Sequence, residues 1–343
     1  LMTKTYNTMK KLLMMAVGAG ITSTAFAQED ALKSILKAKS YDEAKTLLNN
    51  SKSSFNAEQT AKAYNKLVDL SVEKINKEQQ TITANQMAEQ MKTGKVEAYD
   101  TLGFYTAVYN ALDNAILADN FDVQPNEKGK VKPKFHKTNQ DRLYGFRPYL
   151  ISAGQDAMKV QNNKGAYSNF KMYVESATAP LFADVDKTKN PDQYLGEIAR
   201  VSAVFAFQDK DFDAANKYVD IAMADPEARK DALGLKLYLM QQGLKTREDS
   251  LGYVAKLKDL YAVEKENEQV FGNLAQMYGY LGMKAEQNEM INERLKANPN
   301  DFMALSLRAK EAMDEGKDDE AINDFKKALE TKKDDSFVLT YLG

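Results

Sequence analysis

Histidine occurs once in this 343-residue sequence, at His136, and cysteine does not occur at all. A single imidazole cannot build a Cys–His nucleophile pair or a multi-histidine metal site. His136 stands among Lys128, Lys130, Lys132, Lys134 and Lys137. To act as a ligand or general base it would need partners that this basic stretch does not offer. One acidic run has the alternation of a calcium loop: Asp184, Asp186, Thr188, Asn190 and Asp192. Its sixth position is Lys189, where the loop needs glycine, and its twelfth is Leu195, where a bidentate glutamate belongs. The run therefore reads as a hydrated linker. Carboxylates such as Glu266 and Glu268 are plentiful, yet an acid–base pair requires a cleft that drives two pKa values apart. There is no phosphate-binding glycine loop, zinc-protease helix, nucleophile elbow or dinucleotide fingerprint. The expectation is a protein that is not an enzyme and uses no cofactor or metal.

The elements that would carry any site are legible from a period. Phe271, Leu305 and Leu339 are each 34 residues apart, as are Ala275, Ala309 and Gly343, and Gly282 and Gly316 share that spacing. Within one period, Leu305, Arg308, Ala309 and Ala312 fall on one helical face, Gly316 turns the chain, and Ala321, Phe325 and Ala328 share the face of a second helix. Small residues, Ala309 and Ala321, fall where the two helices must cross closely. The preceding period, from Glu268 to Pro299, carries Gln287 and Arg294 where small residues are expected, so it is degenerate. The run from Asp318 to Leu329 resembles the second helix of the tetratricopeptide repeat, a helix–turn–helix of 34 residues, and Phe302–Lys333 resembles the whole unit. That resemblance implies an all-α, right-handed solenoid of stacked helical pairs. The last period stops inside its first helix, at Gly343, and the expectation is that the natural protein continues.

The rest of the chain follows the same pattern with more divergence. Residues 28–118 read as divergent helical hairpins, with helical stretches at Asp30–Lys37, Phe55–Gln79 and Val96–Leu117. Residues 119–140, with Pro125, Gly129 and Pro133 among lysines, read as a long insertion loop, either a solvated basic hairpin or a contact for an acidic partner. Residues 141–263 return to the repeat, broken by a linker at 177–194, and residues 268–343 hold the regular repeats. In the first of these, Gly154 and Ala166 have the 12-residue interval of Ala309 and Ala321. The stretch Asp141-Arg142-Leu143-Tyr144-Gly145-Phe146-Arg147-Pro148-Tyr149-Leu150 is similar to a segment of exported tetratricopeptide proteins of Gram-negative anaerobes, which implies an envelope protein.

Residues 1–27 point the same way. Lys4, Lys10 and Lys11 precede an apolar core of 10 residues, Leu12–Ile21, and Ala25-Phe26-Ala27 has the form of a cleavage site. The core is too short to span a bilayer. The expectation is a secretory signal peptide cut after Ala27, leaving a periplasmic or otherwise exported chain with no integral membrane segment. Residue 28 is glutamine, which a lipid cannot acylate as it would cysteine. The formal charge of −2 becomes −2 − 3 = −5 without the three lysines, and no basic face suited to nucleic acid is evident.

In the tetratricopeptide family, positions 2, 5, 6, 9 and 12 of each first helix line a concave surface. The resemblance therefore nominates Arg200, Phe207, Tyr238, Asn273, Gln276, Met303, Leu307, Lys310, Met313 and Tyr341 as contacts for a protein or peptide. The lysine–asparagine pattern that grips a peptide carboxylate in some family members is not met, because the equivalent positions hold Gly272 with Gln276 and Ser306 with Lys310. The expected function is a binding scaffold in the cell envelope, with a structural subunit of an envelope secretion or outer-membrane assembly complex as the alternative. Oligomeric state does not follow from the sequence.

Overall fold

The computed structural model describes residues 26–342, apart from 93, 95 and 127. The signal-peptide expectation falls almost wholly outside the described residues. Every regular element among them is helical: α1 (26–37), α2 (Tyr41–Ser51), α3 (Ala57–Gln90), α4 (Thr101–Asp122), α5 (His136–Leu143), α6 (Pro148–Lys159), α7 (Asn163–Ala177), α8 (Leu195–Gln208), α9 (Phe212–Met223), α10 (Pro226–Gln241), α11 (Arg247–Val263), α12 (Glu268–Leu281), α13 (Lys284–Ala297), α14 (Phe302–Asp314), α15 (Asp318–Thr331) and α16 (Ser336–Leu342). Many helices adjacent in the chain pack against each other, as α3 on α4, α6 through α9 in succession, and α11 through α15 in succession. The chain divides into two compact units, residues 1–229 and 230–343, and the division falls within α10.

In the first unit, α3 and α4 form the longest hairpin. Asn56 caps α3 by accepting from the Gln59 N–H at 2.9 Å, while the Gln59 side chain accepts from the Asn56 N–H at 3.1 Å. The 34 residues of α3 extend about 51 Å. The two helices pack together, and Leu67, Val68 and Ile75 of α3 and Phe104, Val108, Ala111 and Leu112 of α4 are all buried. The sequence reading ends α3 at Gln79 and starts α4 at Val96, and both limits need correction. Buried Glu78 accepts from the Asp100 N–H at 3.0 Å, and the Asn85 amide pairs with both backbone groups of Glu97 at 2.7 Å. Glu97 and Asp100 are thus held against α3, which runs on to Gln90. Asp100 then caps α4, accepting from the Gly103 N–H at 2.8 Å.

The hairpins α6–α7 and α8–α9, and in the second unit α12–α13 and α14–α15, turn in one way. A residue with φ near 60–74° follows the first helix: Gln161 (58°), Lys210 (61°), Gly282 (74°) and Gly316 (74°). In each turn the next N–H donates to the carbonyl five residues back, as from Asn162 to Ala157, Asp211 to Ala206, Met283 to Tyr278 and Lys317 to Ala312, all at 2.8–2.9 Å. Only two of the four use glycine, so the sequence shows only half of the turns as glycine signals.

In the second unit, Ala309, Ala312, Ala321, Phe325 and Val338 form one buried cluster. Arg308 donates twice to Asp324, at 2.6 and 2.8 Å, tying α14 to α15. The degenerate period compensates for its large residues locally. Gln287 lies against Gly279, where a Cβ would stand 3.3 Å from its Nε2, and it donates to the Ala275 carbonyl at 2.9 Å. Buried Arg294 lies over the Phe271 ring at 4.4 Å and donates to Asp301 at 2.8 Å and to the Lys265 carbonyl at 2.7 Å. A charge so enclosed is tolerable because its donors are met.

Candidate functional site

A shallow groove of about 400 Å³ lies on the first helices of the second unit, lined by residues of α10 and α12 and by Met303 of α14. Four of the predicted contacts meet there: Tyr238, Asn273, Gln276 and Met303. Two glycines keep its floor low. A Cβ on Gly272 would stand 3.1 Å from the Met303 sulfur, and one on Gly234 would stand 3.7 Å from the Gln269 side chain. Polar side chains knit the floor together. Gln241 Nε2 donates to Asn273 Oδ1 at 2.6 Å and to the Tyr253 hydroxyl at 3.1 Å, and Asn273 Nδ2 donates to the Gln269 carbonyl at 2.8 Å. Burial pushes the Tyr253 phenol up from its ordinary value, so it stays a neutral donor. Asn273 thus orders the groove by bridging α10 and α12, whereas Tyr238, 49% exposed, and exposed Gln276 face outward. Gln276 also borders a second recess beside Leu244, Thr246 and Tyr280.

The other predicted residues lie elsewhere. Leu307 is half-buried and Lys310 exposed on α14. Met313 packs against the Ala309–Phe325 cluster, and the Tyr341 ring stacks on Phe325 at 5.5 Å. Neither lines the groove, and Tyr341 remains exposed beside Phe325. Arg200 and Phe207 belong to α8 in the first unit. Arg200 is engaged by Glu197 at 2.7 Å, and Phe207 makes an edge contact with Phe212 at 5.8 Å.

Two acids of the 184–192 run have partners within the protein. Asp186 turns inward on Thr188, accepting from its N–H at 3.0 Å and its hydroxyl at 2.6 Å. Asp192 is committed to Arg147, at 2.6 Å, and to the Tyr173 hydroxyl. No group of three or more acidic or histidine side chains among the described residues could hold a metal ion. The preceding linker is less open than expected. Its 3₁₀ turn Pro180–Phe182 buries Leu181 and Phe182 completely.

Two features of the basic segment were not visible in the sequence. His136 does have a partner: its Nδ1 lies 2.6 Å from Asp119, which is buried at the end of α4. The expected loop over 119–140 is also shorter, since Asp119–Asp122 belong to α4 and His136–Gln140 to α5. Asp122 causes this, accepting from the N–H groups of Lys134, Phe135 and His136 at 2.7–3.1 Å and so starting α5 early.

No protein-family model matches the chain, and no curated protein matches it. Among solved structures, the TPR domain of P58(IPK) is similar at 14% identity, over 96% of this chain and 95% of that one, with a TM-score of 0.26. The stacked helical hairpins and their shared turn define an all-α helical-repeat protein. No helix among the described residues is long and apolar enough to cross a membrane.

Proposed function

We propose that this chain is a non-enzymatic scaffold that binds a protein or peptide in the groove over α10, α12 and α14, and that it works in the envelope of a Gram-negative bacterium after export and cleavage behind Ala27. The observation that carries this reading is the groove itself. Three successive first helices contribute to it, two glycines hold its floor open, and its floor amides are fixed in advance. Preorganised amides beside a half-exposed tyrosine and a methionine suit an extended segment or a helix laid across the array, since little ordering entropy is then lost on binding. The lining offers hydrogen bonds and apolar contact. Its carboxylate, Glu268, is 3.5 Å from Lys332 and is not set against a nucleophile.

The test is affinity capture from envelope extract with three forms of the mature chain: the natural sequence, Tyr238→Ala/Gln276→Ala in the groove, and Asn323→Ala/Lys326→Ala on the exposed face of α15. A partner retained by the natural form and the α15 variant but lost by the groove variant is the expected result. A partner that survives the groove substitutions overturns the groove reading and favours an assembly subunit held through another face. Sequencing of the mature N-terminus is expected to begin at Gln28. A chain retaining residues 1–27 in the envelope would refute cleavage.

A further inference from the structure

The first unit holds a second concavity that the groove does not explain. It is half-enclosed, with a volume of about 620 Å³, between the 123–135 connection and the start of α3. Lys128, Lys130, Lys132 and Lys134 line one side, and Asn56 and Ala57 line the other. The four lysines belong to a stretch without regular structure that opens on a turn, with Gly129 at φ 70°. Lys134 is spoken for by Glu58, at 2.6 Å. Lys128, Lys130 and Lys132 have no ion pair among the described residues. Both acids of the lining are already engaged: Glu58 also holds Lys62 at 2.9 Å, and Asp122 accepts from three backbone N–H groups.

The stretch is held in place at both ends. Asn126 Oδ1 accepts from the N–H groups of Lys128 and Lys130 at 3.0 and 3.1 Å, and Asp122 fixes Lys134 and Phe135. Three like charges lining one cavity raise its positive potential, which a bound anion would lower. The site is concave and within the usual size of small-ligand pockets. Its cations are lysines, which bind phosphate as point charges, whereas planar carboxylates favour arginine. We infer that this cavity binds a compact, multiply charged phosphate-type anion, either a free phosphorylated molecule or a phosphorylated lipid headgroup.

The probe for a free ligand is inorganic tripolyphosphate, measured by calorimetry on the full mature chain at low ionic strength. The probe for a headgroup is a phosphatidylcholine vesicle with and without phosphatidic acid, measured by co-sedimentation. The variant is Lys128→Gln/Lys130→Gln/Lys132→Gln, checked for native helicity by circular dichroism. A second variant, Lys256→Gln/Lys258→Gln/Lys333→Gln, makes the same change in charge at exposed positions outside the cavity. Exposed charge contacts are each worth about twofold, so the cavity variant is expected to lose roughly tenfold in affinity and the control much less. Lysine-to-arginine replacement at the same three positions is expected to keep most of the binding. Tripolyphosphate bound without vesicle association assigns a soluble ligand; vesicle association that needs phosphatidic acid assigns a headgroup. The inference is overturned if the natural chain binds neither probe, if both glutamine variants weaken equally, or if polyglutamate binds the cavity as tightly as tripolyphosphate.

Discussion

Arg147 is the side chain whose loss the first unit should feel most. It is 2% exposed and has three separate obligations. Nε donates to the Ser176 hydroxyl at 2.8 Å, one terminal nitrogen donates to the Tyr173 carbonyl at 2.8 Å, and the other meets Asp192 at 2.6 Å. Its guanidinium also lies between the rings of Tyr144 and Tyr173, at 5.2 and 4.7 Å. Arg147→Met keeps the volume and removes the charge, leaving Asp192 enclosed without its cation. Breaking a buried pair from one side costs about 3–5 kcal/mol. Arg147→Met/Asp192→Asn removes both charges and should cost less than the single substitution, about 2 kcal/mol for the lost bonds to Ser176 and the Tyr173 carbonyl. Hydrogen exchange of the full chain localises the effect. Amides of residues 163–177 are expected to lose protection by roughly a hundredfold or more in Arg147→Met, at 1.4 kcal/mol per factor of ten. Those of residues 302–331 should be unchanged. A loss below about 1 kcal/mol, or a double variant as damaged as the single one, would refute the view that the buried charge pair clasps the 183–194 segment to α7.

Gly154→Ala should destabilise the α6–α7 hairpin, because the new Cβ would stand 2.3 Å from the Phe170 ring, itself 2% exposed. Overpacking costs about 1–3 kcal/mol and the gain in helix propensity returns about 1, so thermal unfolding should show a net loss of up to about 2 kcal/mol, and Gly154→Ala/Phe170→Leu should recover much of it. Glu58 is held down at about 2, first by the hydrogen bond from Lys134 and then by that from Lys62. A depressed carboxylate stabilises the fold fully above its unfolded value and loses that contribution as pH falls through its folded value. The Lys134–Glu58 tether is therefore expected to be complete above pH 4.5 and to fail near pH 2. Carboxyl NMR titration checks this, with Lys134→Gln moving the Glu58 midpoint up, and an unchanged midpoint would break the assignment.

The helical-repeat character was legible because it rests on spacing. Phe271 and Leu305, Ala275 and Ala309, and Ile291 and Phe325 recur at the period and are all buried. What escaped the sequence depends on pairings between distant residues. The extension of α3 to Gln90 is fixed by Glu78 with Asp100 and by Asn85 with Glu97, polar contacts that no periodicity encodes. The His136–Asp119 contact spans 17 residues, and Arg147 reaches Asp192 across a linker that composition alone describes as exposed. Of the nominated groove residues, repeat position identified Tyr238, Asn273, Gln276 and Met303 as neighbours. It could not show that Asn273 is already committed within the floor, nor that Gly234 and Gly272 decide the depth.

The paired exchange at Gln287 and Gly279 bears on how such a protein can be recombined. A repeat is usually regarded as a cassette that can be lifted out whole between Glu268 and Pro299. Gln287 and Gly279 do sit inside that cassette, so their mutual fit would survive the move. Arg294 does not travel so freely: its partners are the Lys265 carbonyl on one side of those limits and Asp301 on the other. A transplant cut at the nominal boundaries would carry a buried cation and leave behind the groups that neutralise it. The smallest portable segment in this part of the chain therefore runs from Lys265 to Asp301.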